Sequence, residues 1–497
     1  MANFLDKAIS FVSPTVGVRR ARARLLEKTL SDFSKRKYEG ATSSHRTGGW
    51  LTSNTSANAE THGILPRLRD RSRDLVRNNP YASRAIQIIS ANTIGTGIIP
   101  NAKSKNQNQS LKISGLWKKW AETTECDADG VNDFYGLQTL VMRTIAESGE
   151  VLVRRRRRFS QDKTTVPFQL QILEPDFIDT FREGKISNSG NYIIQGIEFD
   201  VLGRRVAYYL YKEHPGNNAL VTSFGLQSSR VDASEILHLY RVDRPGQVRG
   251  VPWSAPIMLK LRDFDEFEDA QIVRQKIAAC FAAFIRDIET PVDLTSAQTS
   301  LGDKIEPGAI EALPPGKDIT FPNPPQLSDY AQFSSITLHA IAIGFGIPYE
   351  ALTGDLSQVN FSSGRMGWLE FQRNIEQWRW NLIIPRFCDP IWQWFLEAAS
   401  LLGNDITGIV ATWTPPRREM IDPAKEVSAT RDAIRSGLLT QSEAIRQQGY
   451  DPEQQFEEMN QDNQRLDSLG LILDSDPRKT SQAGGPINVA AAAAGGA

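Results

Sequence analysis

The stretch Glu150–Ser160, EVLVRRRRRFS, places an acid and three apolar residues ahead of five consecutive arginines. It decides the fold, because the hydrophobic pattern changes here. Upstream, apolar residues recur at helical spacing; from Glu150 to Tyr240 they alternate. VLVRRRRR, FQLQILE, YIIQGIEFD, RRVAYYLYK and EILHLY read as short strands separated by the turns NSGN, LGR and HPGNN. In a strand, Arg154, Arg156 and Arg158 share one face, and Arg155 and Arg157 the other. Burying such charges unpaired costs several kcal/mol each. An edge strand or a projecting hairpin is therefore expected. Two roles stay open for it: a charged edge that resists aggregation, or contact with phosphates or an acidic partner. A nuclear-localisation tag does not fit inside an ordered sheet.

On the N-terminal side, residues 1–65 are polar, with a Ser/Thr/Asn/Gly-rich stretch at Ala41–Gly63 that reads as loop. A helix is expected at about Leu65–Asn78, halted by NNP. In YASRAIQIISANTIGTGIIP, Ala82, Ala85, Ile86 and Ile89 mark another helix, ended by Gly95 and Gly97. SLKISGLWKKWAE and DFYGLQTLVMRTIAESG give two more.

On the C-terminal side, Ala255–Asp287 reads as one long helix. Ile257, Leu261, Phe264, Phe267, Ile272 and Ile277 form its apolar stripe. About 30 residues span roughly 45 Å. Asp263, Asp265, Glu266, Glu268 and Asp269 crowd its first half; such a run is either a solvated face or an anionic surface turned toward something that must not adhere. The prolines of EALPPGKDITFPNPPQ suit a compact projecting module. LSDYAQFSSITLHAIAIGFG resumes a helix to about Phe345, and IPYEALTGDLSQVNFSSGR breaks it with a polar loop. An aromatic-rich helix follows, with Pro385 and Pro390 expected to kink it. Two or three small helices and a low-complexity, disordered tail close the chain.

The 497 residues imply several domains, and a net charge of −1 with 40% hydrophobic residues is ordinary for a globular protein. Nucleic-acid contact must then be local, or must avoid tight binding. Residues 1–75 carry 14 Lys/Arg against 7 Asp/Glu, and residues 420–497 carry 7 against 12. The ends thus suit different neighbours. Cys126, Cys280 and Cys388 imply no disulfide framework and suit a reducing compartment. The longest apolar run, Ile277–Ile285, is far short of the roughly 20 residues needed to cross a bilayer, and the N-terminus does not read as a signal peptide.

Enzyme motifs are absent. There is no GxxxxGK[ST], HExxH, CxxC or GxSxG, and IGTGIIP follows a helix where a dinucleotide fingerprint would follow a strand. Neither cofactor nor metal is expected. A metal-dependent nuclease needs no short motif and stays open, as does a non-viral DNA-clamping or scaffold ring.

RPGQVRGVPW (Arg244–Trp253) lies directly before the long helix. Around it, in order, stand RNNPYASRAI with GTGIIP, LEPDFIDT (Leu173–Thr180), GIEFDVLGRRVAYYLYKEHPG (Gly196–Gly216), IAACFAAFI and GFGIPYEALTGDLSQVNFSSGR. Across about residues 65–420 this set resembles the lambda-type family of bacteriophage portal proteins; the arginine run is more basic than the family pattern, and the two ends match weakly. The resemblance implies an α+β, portal-like, ring-forming fold: N-terminal arm 1–65, wing 66–254, stem helix 255–286, α/β clip 287–326, second stem helix 327–347, tunnel loop 348–365, wing helix and return 366–420, helical crown 421–475 and tail 476–497. It also implies a non-enzymatic homo-oligomer, usually a dodecamer, at one capsid vertex of the virion, assembled in the bacterial cytoplasm without a membrane. Its expected partners are double-stranded DNA, the terminase large subunit, major capsid and scaffold proteins, and head-completion or tail adaptor proteins. On this reading Asp263, Asp265, Glu266, Glu268 and Asp269 form an acidic channel belt. Gln358, Asn360, Ser362 and Arg365 touch passing DNA, and Arg154, Arg156 and Arg158 meet a neighbouring subunit or the capsid.

Overall fold

The computed structural model describes residues 52–187, 189–217, 227–279, 330–417 and 422–473, two strands at 284–287 and 317–320, and isolated positions elsewhere. The chain divides into Met1–Ser56 and Ala57–Ala497, and all that follows concerns the second unit. It opens with α1 (Ala57–Thr61), α2 (Leu65–Asn78) and α3 (Pro80–Ile94). The NNP break works through a cap: Asn79 is extended, its side chain accepts from the Tyr81 and Ala82 amides, and Pro80 takes the first helical position. β1 (Ile99–Lys103), α4 (Gln107–Ala121) and α5 (Phe134–Ser148) follow. Helix α5 ends at Gly149 with φ 89°, where a Cβ would lie 2.4 Å from the Val251 carbonyl carbon. Only glycine turns the chain there, directly into β2 (Glu150–Arg157).

Next come β3 (Phe168–Leu173), a five-stranded antiparallel meander of β4 (Gly184–Lys185), β5 (Tyr192–Ile194), β6 (Ile197–Phe199), β7 (Arg205–Leu210) and β8 (Ser229–Asp232), and then β9 (Ile236–Tyr240). Strand β2 is the centre of a three-stranded sheet, β3–β2–β9, which corrects the expectation of an edge strand. Its apolar half decides the matter. Val151 and Val153 belong to the main core, and Leu152 to a second core under the meander. The strand partitions two apolar masses and is buried on both faces. Pairing with β9 stops at Arg154↔Ile236, whereas pairing with β3 continues to Arg157↔Phe168. The arginine half alone has an edge, on one side.

The main core gathers α3, α4, α5 and the aromatic helices that come later. Trp117 stands at its centre, with ring centroids 5.0 Å from Phe134, 5.1 Å from Trp392 and 4.9 Å from Phe395. Cys126 and Cys388 are buried and free.

The long helix α6 is Met258–Ala279, shorter than its pattern suggested, and Phe284–Asp287 is a strand, β10, paired antiparallel with β11 (Lys317–Thr320). Cys280 and most of the expected clip lie outside the described residues. Along α6 the apolar stripe is buried at Ile257, Leu261 and Phe264, but Ile272 is 52% exposed. After α7 (Tyr330–Phe345) and α8 (Tyr349–Thr353), α9 (Phe361–Trp378) runs through a π-helical segment, Arg379–Cys388, into α10 (Asp389–Leu401). The wider π turn accommodates Pro385 at the expected kink. Arg379 reaches back from this segment to the Asn92 and Thr93 carbonyls at the end of α3.

Strand β12 (Val410–Thr414), unforeseen in the sequence, pairs antiparallel with β1. The chain then forms α11 (Pro423–Arg435), α12 (Gln441–Gln447) and α13 (Pro452–Leu469). Among the described residues, no helix is long and apolar enough to cross a membrane.

Candidate functional site

The electrostatic centre of the molecule is Glu150, the first residue of the stretch that marks the strand region. It is fully buried. Its carboxylate accepts from Arg249 Nη2 at 2.6 Å and Arg249 Nε at 3.0 Å, from Arg69 Nη1 at 3.2 Å, from His238 Nε2 at 3.0 Å and from the Gly250 amide at 2.8 Å. Arg69 also reaches Asp176 at 3.3 Å, and Asp176 holds Arg73 at 2.6 Å. Burial pushes the Glu150 carboxyl up, but Arg249 and the His238 hydrogen bond outweigh it and hold the group well below the usual carboxylate range. Burial lowers His238 to about 4, so the ring is neutral at pH 7 and donates through Nε2. Five acceptances satisfy a charge that would otherwise be prohibitive in a dry core. The result ties α2, β2, β9 and the RPGQVRGVPW loop together.

That loop is shaped to deliver Arg249. The Gln247 side chain accepts from the Asp243 and Arg244 amides and donates to the Arg249 carbonyl at 2.7 Å. Gly250 packs so closely that a Cβ would lie 2.1 Å from the Gly149 carbonyl oxygen. Asn58 on α1 clamps the loop from outside, donating to the Gly246 carbonyl and accepting from the Val248 amide, both at 2.9 Å. This hub is not evident from the motif alone. The available signal was an acid ahead of three apolar residues and an arginine between Val248 and Gly250.

The structure splits the five acids of α6 between two faces. Asp265 accepts from Asn79 Nδ2 at 3.3 Å and Glu268 from the Tyr81 hydroxyl at 3.2 Å. Burial, reinforced by Asp265 and Asp269, raises the Glu268 carboxyl. Asp263, Asp265, Glu266 and Asp269 are exposed and Glu268 is half-buried; Glu266 pairs with Arg262 at 2.9 Å.

The expected polar loop 348–365 is corrected in extent. Tyr349–Thr353 is helical, and α9 begins at Phe361, leaving Gly354–Asn360 as the loop. Gln358 is exposed within it. Asn360 is the N-cap of α9: its side chain accepts from the Ser363 amide at 2.8 Å, and the Ser363 hydroxyl accepts in turn from the Asn360 amide at 3.1 Å. Ser362 and Arg365 are exposed on the first turns of the helix. The Asn-x-x-Ser signal was present and was read as loop.

The arginine run divides as a strand should. Arg155 follows the Val153 face. It lies 5.6 Å from the Trp394 ring and 5.7 Å from Phe168, and pairs with Glu397 at 2.6 Å. Arg157 pairs with Glu235, and Arg158 Nε donates to Gln169 at 2.6 Å. Arg154 and Arg156 sit side by side on the other face, half-buried, with no ion pair among the described residues. Burial, with Arg156 beside it, lowers the pKa of Arg154.

Glu174, Asp176 and His214 stand close enough to hold a metal ion. Arg73 already fills the place of a cation, with Nη2 at 2.6 Å from Asp176 and 3.1 Å from Glu174.

Buried charge in this chain fastens elements to one another, and apolar side chains along α6 and α7 lie uncovered: Leu259, Ile272 and Val273 on one, Phe333, Ile336 and Ile343 on the other. The family model described as phage portal protein, lambda family, matches residues 43–379, and the chain belongs to that family. It is 28% identical over 430 residues to the probable portal protein of Halomonas phage phiHAP-1, covering 81% of each chain. To portal protein B of Escherichia phage lambda it is 22% identical over 489 residues, covering 85% of this chain and 89% of that one. Among solved structures, a chain in the neck of a native GTA particle computed with C12 symmetry is similar at TM-score 0.45 and 16% identity, covering 78% and 94%. The resemblance read from the motifs is borne out, and the described residues form the expected mixture of helices and antiparallel strands.

Proposed function

We propose that copies of this chain close into a ring, of about twelve subunits, at a single capsid vertex. The ring passes double-stranded DNA inward under a terminase motor and outward at ejection, and carries head-completion and tail proteins. Residues 66–254 and 366–420 form the wing, α6 and α7 the stem, 287–326 the clip and 421–475 the crown. The ring does no chemistry of its own. Family membership supports the reading. The observation on this chain that carries it is the uncovered apolar length of α6 and α7, a surface suited to neighbouring copies in a heterologous, closing arrangement.

DNA carries about one charge per 1.7 Å of axis, so a lining that must let it slide is best left without strong cation contacts. Asp263, Asp265, Glu266 and Asp269 are the exposed acids suited to that lining, and Asp265 and the half-buried Glu268 also bond to Asn79 and Tyr81 at the start of α3. Gln358 at the loop, with Ser362 and Arg365 on the helix behind it, makes weak, sequence-blind contacts; Asn360 acts by holding the loop's base. Arg154 and Arg156, joined by Arg158, face acids on a neighbouring subunit or the capsid. Imaging and mass measurement of the purified protein test the whole: a ring with a central hole is expected, and a monodisperse monomer at micromolar concentration and physiological salt excludes it.

A further inference from the structure

The three C-terminal helices barely rest on the body. Among their described residues only Ala444 and Pro452 are buried. A hydrogen bond of 2.5 Å from Asn101 on β1 to Asp451, the N-cap of α13, ties them to β1, and Gly449 packs against Arg417. On one side of that bond lies a cleft of about 280 Å³ against β1 and β12, and on the other a cleft of about 570 Å³ between α13 and the corner where β1 turns into α4.

The walls of the larger cleft match in chemistry and do not touch. One wall carries Lys103, Lys105, Gln107 and Ser110; the other carries Glu453, Phe456, Glu457 and Asn460, one face of α13. Neither lysine nor either glutamate makes an ion pair among the described residues. The Ser110 hydroxyl is buried on the cleft floor without a hydrogen-bond partner. Two ammonium groups thus confront two carboxylates, aliphatic lysine stems confront a phenyl ring, and an orphaned hydroxyl confronts an amide.

We propose that α13 is a lid with a second, closed position. It rocks about the Asn101–Asp451 contact, pairs Lys103 and Lys105 with Glu453 and Glu457, lays Phe456 over the lysine stems and brings Asn460 to Ser110. Exposed ion pairs are individually weak and screened by salt, so the two positions lie near balance. That suits a switch and not a clamp. The inference rests on the crown reading only in treating 421–475 as one unit.

Cysteines at the cleft mouth test it in the full-length protein: Gln107→Cys with Asn460→Cys, exposed positions that leave all four charges in place. Mild oxidation is expected to join them within one chain. Adding E453K and E457K slows the joining several-fold, and adding K103E and K105E on top restores it. High salt slows the unreversed pair alike. No intramolecular link, a rate indifferent to the reversals, or links only between chains would overturn the lid; the last result would make the face a contact between copies. Particle mass, measured on the same samples, reports separately on the ring.

Discussion

Gly344 on α7 lies against Ile257 at the foot of α6, so close that a Cβ on the glycine would fall 2.1 Å from Ile257 Cγ2. The Ile257 side chain seats directly on the glycine backbone there. G344A must push the two helices apart or displace Ile257, an overpacking that costs about 1–3 kcal/mol. Thermal unfolding is expected to show the loss, and I257A in the same chain to recover part of it. An unchanged midpoint for G344A would mean that the contact is looser than the backbone places it.

The Glu150 hub makes a larger claim. R249A leaves a buried carboxylate short of its strongest partner, and a loss of about 3–5 kcal/mol is expected in urea unfolding. R244A, whose partner Glu60 is about half exposed, should cost less than about 1 kcal/mol. Equal losses would deny the hub its role.

The hub also sets a pH dependence. His238 is lowered to about 4 in the folded chain, whereas the unfolded chain protonates near 6.5. Between these values the unfolded state binds the extra proton. Stability is therefore full above about pH 6.5 and falls as the pH drops toward 4. Glu150, held low when folded, adds a loss of the same sign below its unfolded value of about 4.3. H238Q keeps an amide donor for Glu150 and removes the imidazole. Its urea midpoint, followed from pH 7 to 4.5, should fall less steeply than that of the natural chain.

Arginines of one run should answer differently to the same change. R155Q removes a guanidinium packed on Trp394 and paired with Glu397, so it should lower stability by about 1–2 kcal/mol. R154Q with R156Q relieves two like charges and should leave stability unchanged or slightly raised. If these two meet an acidic neighbour, the double variant should enter procapsids poorly while its rings still translocate DNA. Normal incorporation with lost translocation would put β2 in the channel.

Loop and cap can be separated in the same way. N360A removes the N-cap of α9 and should cost about 1 kcal/mol, whereas Q358A should not alter stability. In a packaging assay with terminase, Q358A should change DNA retention without changing the yield of rings. Retention of a full genome by loop-shortened rings would remove the tunnel assignment.

Most strands of the sheet region and the flanking helices were legible because their signals are local: alternation in FQLQIL and RVAYYL, the NNP break, Gly95 after α3. What escaped was set by partners distant in sequence. Strand β1 looked like the tail of a glycine-rich turn, because its partner, Val410–Thr414, lies some 310 residues on. Arginine content suggested an edge at β2, but Val151, Leu152 and Val153 face two cores, and no single sequence window contains both. The helical limits of the loop turned on Asn360 and Ser363 bonding each other, a cap that resembles loop composition when read residue by residue. The hub needed Arg69, Glu150, His238 and Arg249 to be seen together.

The aromatic centre of the main core has a consequence for synthesis. Trp117 and Phe134 leave the ribosome well before Trp392, Phe395 and Trp413, which cover them, the gap from Phe134 to Trp413 being about 280 residues. At about 5–20 residues per second, that is roughly 15–60 s of translation. Throughout that interval the Trp117 and Phe134 rings have each other but lack their C-terminal partners. Completion of this aromatic core is therefore a C-terminal event in synthesis.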